Sequence, residues 1–173
     1  MSAPSPASGG AAATPTVAVE RVPWDDPDAA RLREEQQTEL AARYDGVGDI
    51  EPVLPPDEML ATVVVRLDGE VVGCGSLRAA SGYGDGYGEL KRMFVRPAAR
   101  GRGLSRAVLA ELERLAVEHG LRRLVLETGV RQPEAIALYR STGYERIDNY
   151  GPYTDEPTSV CYARWLTPEP EPR

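Results

Sequence analysis

Residues 89–128 constrain the fold most, because the hydrophobic period changes twice within them. Glu89–Val95 reads as a strand. Leu104, Val108, Leu112 and Leu115 then recur at helical spacing, with Glu111, Arg114 and Glu118 on the opposite face. Gly120 ends that helix, and Arg123–Thr128 has strand composition again. A strand–helix–strand unit supplies a parallel pair. The rest of the chain signals hairpins. Thr16–Val22, Leu60–Leu67, Val71–Leu77, Tyr144–Asn149 and Ser159–Trp165 read as strands, and Asp68-Gly69 is a hairpin turn. Gly73 and Gly75 suggest a bulge or a close backbone approach, and 81–88 is a glycine-rich loop. Asp25 or Asp26 can cap a helix reaching about Tyr44, with Pro27 near its first position; its apolar face is thin, which suits an edge or a site. A short helix over Glu134–Ser141 stops at Gly143. The order β-α-β-β-β-α-β-α-β-β places the chain in the α/β (α+β mixed) class, with helices on the faces of a mixed sheet.

At 173 residues this is one domain's worth of chain. Residues 1–15 and 167–173 are small, polar and Pro-rich, so both ends are expected to be disordered around a single domain at 16–166. The net charge of −7 argues against nonspecific nucleic-acid or anionic-membrane partners. No apolar run approaches the roughly 18 residues of a spanning helix. No secretory signal is legible, so a cytoplasmic protein is expected. Two cysteines (Cys74, Cys161) and one histidine (His119) are too few for a disulfide scaffold or a Cys- or His-rich metal site, so no metal is expected.

One segment departs from the overall acidity. Lys91, Arg92, Arg96, Arg100, Arg102 and Arg106 fall in a window with no Asp or Glu. Within it, Arg100–Ser105 reads RGRGLS, after a strand and at the start of a helix. Two glycines let a ligand approach the backbone, and the free amides of a helix start face an anion. A tight turn would use the same residues. The six cations favour a multiply phosphorylated ligand; a solvated basic face is the alternative. The segment is no P-loop, because no Gly-Lys-Ser/Thr follows. It is a poor dinucleotide fingerprint, because Arg106 stands in the third glycine's place.

ELKRMFVRPAARGRGLS, RLVLET and QPEAIALYRSTGY, in that order, resemble the core of the GNAT superfamily of acetyl-CoA-dependent N-acetyltransferases. The close match covers Glu89–Gly143. Arg100, Gly103 and Ser105 fill the family's Gln/Arg-x-x-Gly-x-Gly/Ala pattern, with Ser105 a departure. Gln132-x-x-Ala135 stands where Asn-x-x-Ala is common. The resemblance implies a mixed, mostly antiparallel sheet of six to seven strands with splayed central strands. It implies a bulge in the strand at 89–95 and acetyl-CoA as co-substrate. The pantetheine arm would pair with the backbone of Met93, Phe94 and Val95. The pyrophosphate would lie on the amides of Arg100, Gly101, Arg102, Gly103, Leu104 and Ser105, with Gln132 nearby.

By the same resemblance Tyr139 is the general acid; a core tyrosine is the plain alternative. Proton transfer from a phenol to a thiolate is uphill by only about 2 kcal/mol. Glu89 stands where several members keep a general base; Glu127 is a second carboxylate candidate, whose RLVLET context reads as structural or as a contact to the acceptor. A base matters most for a lysine-like amine, which costs roughly 4.6 kcal/mol to deprotonate at neutral pH. The acceptor, a small-molecule amine or else a protein amine, would meet Tyr44, Asp45, Asp49 and residues 148–153 (DNYGPY). A non-catalytic acyl-CoA-binding module would keep the cradle without needing Tyr139. Members are often homodimers, but no interface is legible here.

Overall fold

The structure, a computed structural model, describes residues 13–46 and 53–167; Asp49 and most of both expected disordered ends lie outside the described residues. Val17–Val22 (β1) precedes Pro27–Arg43 (α1). Asp26 caps α1 by accepting from the amides of Asp28 and Ala29, both at 3.0 Å. Met59–Leu67 (β2) and Glu70–Ala79 (β3) form a hairpin through Asp68 and Gly69, both at positive φ. Tyr87–Val95 (β4), Leu104–Glu118 (α2) and Arg123–Gly129 (β5) are the expected strand–helix–strand unit. Pro133–Ser141 (α3), Glu145–Ile147 (β6) and Ser159–Trp165 (β7) follow.

The strands form one sheet in the order β1-β2-β3-β4-β5-β7-β6. Among the described residues only β4–β5 is parallel. α2 covers one face and buries Leu104, Val108, Leu109, Leu112 and Leu115 against β2, β3 and β4. Each such side chain contributes about 1.5–3 kcal/mol of burial. α1 covers the other face with a smaller footprint: Ala29 and Leu32 sit against Val64, Val71, Cys74 and Phe94. β6 is shorter than its sequence suggests. Asp148 and Asn149 leave the sheet because the Asn149 amide donates to the carbonyls of Tyr153, Glu156 and Ser159, at 3.1, 3.3 and 3.0 Å. Among the described residues no helix is long and apolar enough to cross a membrane.

The centre of the sheet opens. Parallel pairing of β4 with β5 stops at Leu90–Leu126, so 91–95 run on outside the β4–β5 ladder. On the other side the β3–β4 register slips between Cys74 and Ser76, where Arg92 takes φ 58°. This is a β-bulge, two residues of β4 against one of β3. Gly75 lies opposite it, and a Cβ there would fall 2.6 Å from the Met93 sulfur.

Candidate active site

The opening between β4 and β5 leads into a cavity of about 520 Å³. One wall is Met93, Phe94 and Val95; another is Arg100, Gly101, Gly103, Leu104 and Ser105; α3 supplies Ala135, Leu138 and Tyr139, with Gln132 just before it. Arg96 donates its amide to Val72 of β3 at 2.8 Å. By strand alternation Val95 and Met93 then turn their backbone groups away from β3, into the gap. Gly103 holds φ 75° directly before α2 and caps it with no side chain. The first amides of α2 therefore lack a side-chain acceptor, which is the arrangement that receives an anion.

Most of the expected cofactor residues come together here: Met93, Phe94, Val95, Arg100, Gly101, Gly103, Leu104, Ser105, Gln132 and Tyr139 all line the cavity. Arg102 is exposed and lies off the cavity wall. The six cations do not form one cluster. Arg96 grips Glu35 of α1 through two bonds of 2.8 Å, which holds the Glu35 carboxyl below its usual pKa. Arg106 reaches Ser141 at 2.6 Å. Arg100 donates to the Val95 carbonyl at 2.9 Å and to Glu39 at 2.7 Å. Lys91 and Arg92 belong instead to a second, smaller cavity at the bulge.

α1 contributes residues that sequence reasoning missed. Gln36, Glu39 and Leu40 line the main cavity, and the Gln36 amide donates to the Met93 carbonyl at 2.9 Å. The thin apolar face of α1 was the one available signal, since its second half borders a cavity instead of core. The end of α1 is fastened to the β5–α3 connection. The Tyr44 hydroxyl accepts from the Arg131 amide at 3.0 Å, and Arg131 pairs with Asp45 at 2.9 Å. Tyr44 and Asp45 thus bind neighbouring chain.

The second cavity, of about 90 Å³, shares Gln36, Leu40, Met93, Gln132, Ala135 and Tyr139 with the first. Lys91, Arg92, Glu127 and Thr128 line it as well. Tyr139 therefore stands at the junction. It is 5 % exposed, and its ring meets Tyr144 edge-on at 5.7 Å. Burial, with the Glu127 charge adding to it, pushes the phenol well above its ordinary pKa. Glu127 accepts from the Ser159 hydroxyl at 2.6 Å.

Glu89 has a different setting from the one its spacing suggests. It is fully buried and lines neither cavity. Arg78 pairs with one carboxylate oxygen at 2.6 Å, and the Tyr150 hydroxyl donates to the other at 2.8 Å. Tyr153 is buried too, and accepts from Lys91 at 2.7 Å. The DNYGPY segment closes over β4 through these contacts.

A sequence model of the acetyltransferase (GNAT) family matches residues 17–144. The chain belongs to the GNAT family. It is 44% identical over 112 residues to an IAA acetyltransferase of Azospirillum brasilense, covering 65% of this chain and 71% of that one. It is 41% identical over 85 residues to the uncharacterized N-acetyltransferase YjgM of Escherichia coli (strain K12), about half of either chain. Among solved structures, a Klebsiella pneumoniae protein provisionally described as an acyl-CoA N-acyltransferase superposes with a TM-score of 0.72 at 32% identity, over 87% of this chain and 98% of that one. The PaiA N-acetyltransferase of Thermoplasma acidophilum, solved with coenzyme A, shares the fold at a TM-score of 0.63 and 14% identity, over 86% and 99% of the two chains. This GNAT chain is thus an acyltransferase with the family's α/β fold.

Proposed function

We propose that this GNAT enzyme transfers the acetyl group of acetyl-CoA to the primary amine of a small molecule, by direct attack within a ternary complex. The observation that carries the reading is the junction at Tyr139 between two cavities. The larger has strand backbone outside the β4–β5 ladder and a helix start on its walls; the smaller is polar and charged. The residues fit acetyl-CoA. Met93 and Val95 offer backbone groups to pantetheine amides, and the turn at 100–105 offers amides to the pyrophosphate. Gln36 and Arg100, which hold the Met93 and Val95 carbonyls, would give those carbonyls up to the ligand. When bound, acetyl-CoA supplies a thioester with CoA thiolate as leaving group.

Tyr139 keeps its proton, because its raised pKa makes outright transfer costly. It acts as a hydrogen-bond donor to negative charge developing on sulfur. Glu127 is the base, since it lines the acceptor cavity and Glu89 does not. We assign Glu89 a positioning part, holding Tyr150 over β4. The small volume of the second cavity favours a small acceptor over a peptide. Acetyl transfer from acetyl-CoA to amino acids, polyamines, aminoglycosides and short peptides, read by free CoA release, tests this. At least one small amine is expected to be acetylated; transfer confined to peptides would contradict the reading.

A further inference from the structure

We propose that Gln36 binds the acceptor: its side-chain amide holds the Met93 carbonyl in the free protein and, displaced by acetyl-CoA, accepts a hydrogen bond from the amine to be acetylated. This rests on the acetyl-transfer reading above. Gln36 lines both cavities, as Tyr139 does. Its nitrogen donates to the Met93 carbonyl at 2.9 Å. That contact fixes which way the amide points, since a carbonyl takes only a donor. The other end of the amide, Oε1, is buried and has no hydrogen-bond partner. Buried polar atoms are nearly always paired in native proteins, so this oxygen calls for a partner that arrives with a ligand.

The exchange does not require α1 to move. Glu35 pairs with Arg96 at 2.8 Å and Glu39 with Arg100 at 2.7 Å. These contacts flank Gln36 and pin the helix to the end of β4 and the turn after it. The Gln36 side chain is unbranched, and a change of rotamer re-aims its amide while the backbone stays in place.

Chemistry decides which ligand group the oxygen takes. The pantetheine amides are matched by the backbone of Met93 and Val95. A neutral primary amine presents two N–H groups while its lone pair faces the thioester carbon. Glu127, on the wall of the smaller cavity, accepts from one of them, and Gln36 Oε1 accepts from the other. Two such bonds fix the direction of the lone pair, where one would let the nitrogen swing.

The test compares the parent chain with Gln36→Leu and Gln36→Glu, by calorimetry of acetyl-CoA binding and by kinetics with the best amine of the panel above. Leucine keeps the bulk and the helix propensity and removes both amide functions. Gln36→Leu should bind acetyl-CoA about two- to tenfold more tightly, the worth of one neutral hydrogen bond that no longer competes for Met93. Its KM for the amine should rise by about the same factor, more than its kcat falls. A damaged fold would weaken both ligands, so the opposite signs are the signature. Glutamate cannot donate to Met93 but can accept from the amine. Gln36→Glu should share the tighter acetyl-CoA binding and keep the amine KM at or below the parent value. Acetyl-CoA affinity unchanged or weaker in Gln36→Leu, an unchanged amine KM, or a glutamate that fails to restore it would overturn the inference. The melting temperature with acetyl-CoA separates the two layers. A shift without these variant effects removes this inference alone; no shift, or no turnover of any panel amine, removes the acetyl-transfer reading and this inference with it.

Discussion

Tyr139 and Glu89 show how a side chain's surroundings decide its chemistry. Both are buried and polar, and both stand where the family resemblance puts catalysis. Tyr139 lies where two cavities meet, and burial, with the Glu127 charge adding to it, keeps its proton in place. Glu89 is enclosed by Arg78 and Tyr150, so its charge holds structure together. Tyr139→Phe removes one hydroxyl and keeps the ring against Tyr144. Turnover should fall about a hundredfold, the scale of losing one donor to developing charge. Acetyl-CoA affinity, measured by calorimetry, should stay within about twofold of the parent protein. Unchanged turnover would make Tyr139 a core residue only.

At the scale of elements, the main event is the bulge and splay of β4 together with the docking of α1 beside it. The Arg96–Glu35 pair joins the end of β4 to α1, and its folded-state carboxyl pKa is depressed by the guanidinium hydrogen bonds. Such a pair contributes stability above the unfolded carboxyl pKa, near 4.5, and loses it as pH falls through the lower folded value. Glu35 is about a third exposed, so the contribution is modest, about 1 kcal/mol or less. Thermal melts between about pH 5 and pH 3 should therefore show a shallower loss for Glu35→Gln than for the parent chain. Identical slopes would mean the pair contributes nothing measurable.

The elements were largely legible in the sequence. The α2 stripe, the Asp-Gly hairpin turn and the RGRGLS turn are local signals, each acting within a few residues. The site was legible only where it is local. Gln36 meets Met93 57 positions away, and Glu39 meets Arg100 at a separation of 61. No short-range pattern reports such contacts. The run of six cations misled for the same reason: the bulge and α1 divide residues that are neighbours in sequence between a helix contact, the larger cavity and the smaller one. Glu89 misled because the β3 register and the return of the 148–153 segment determine what surrounds it.

For the molecule as a whole, an acidic protein meets an anionic co-substrate through one locus of strand backbone and helix-start amides. Acetyl-CoA that binds the folded chain alone must stabilise it. At a hundred times its dissociation constant the gain is about 2.7 kcal/mol, or roughly 5–10 °C in melting temperature for a chain of this size. NADH carries a pyrophosphate but no pantetheine, so it cannot pair with the splayed backbone of β4. The most direct measurement is therefore the thermal melt of the full chain with saturating acetyl-CoA, alongside NADH at equal concentration. The account predicts a rise of several degrees with acetyl-CoA and none with NADH; no rise with acetyl-CoA, or an equal rise with both, would contradict it.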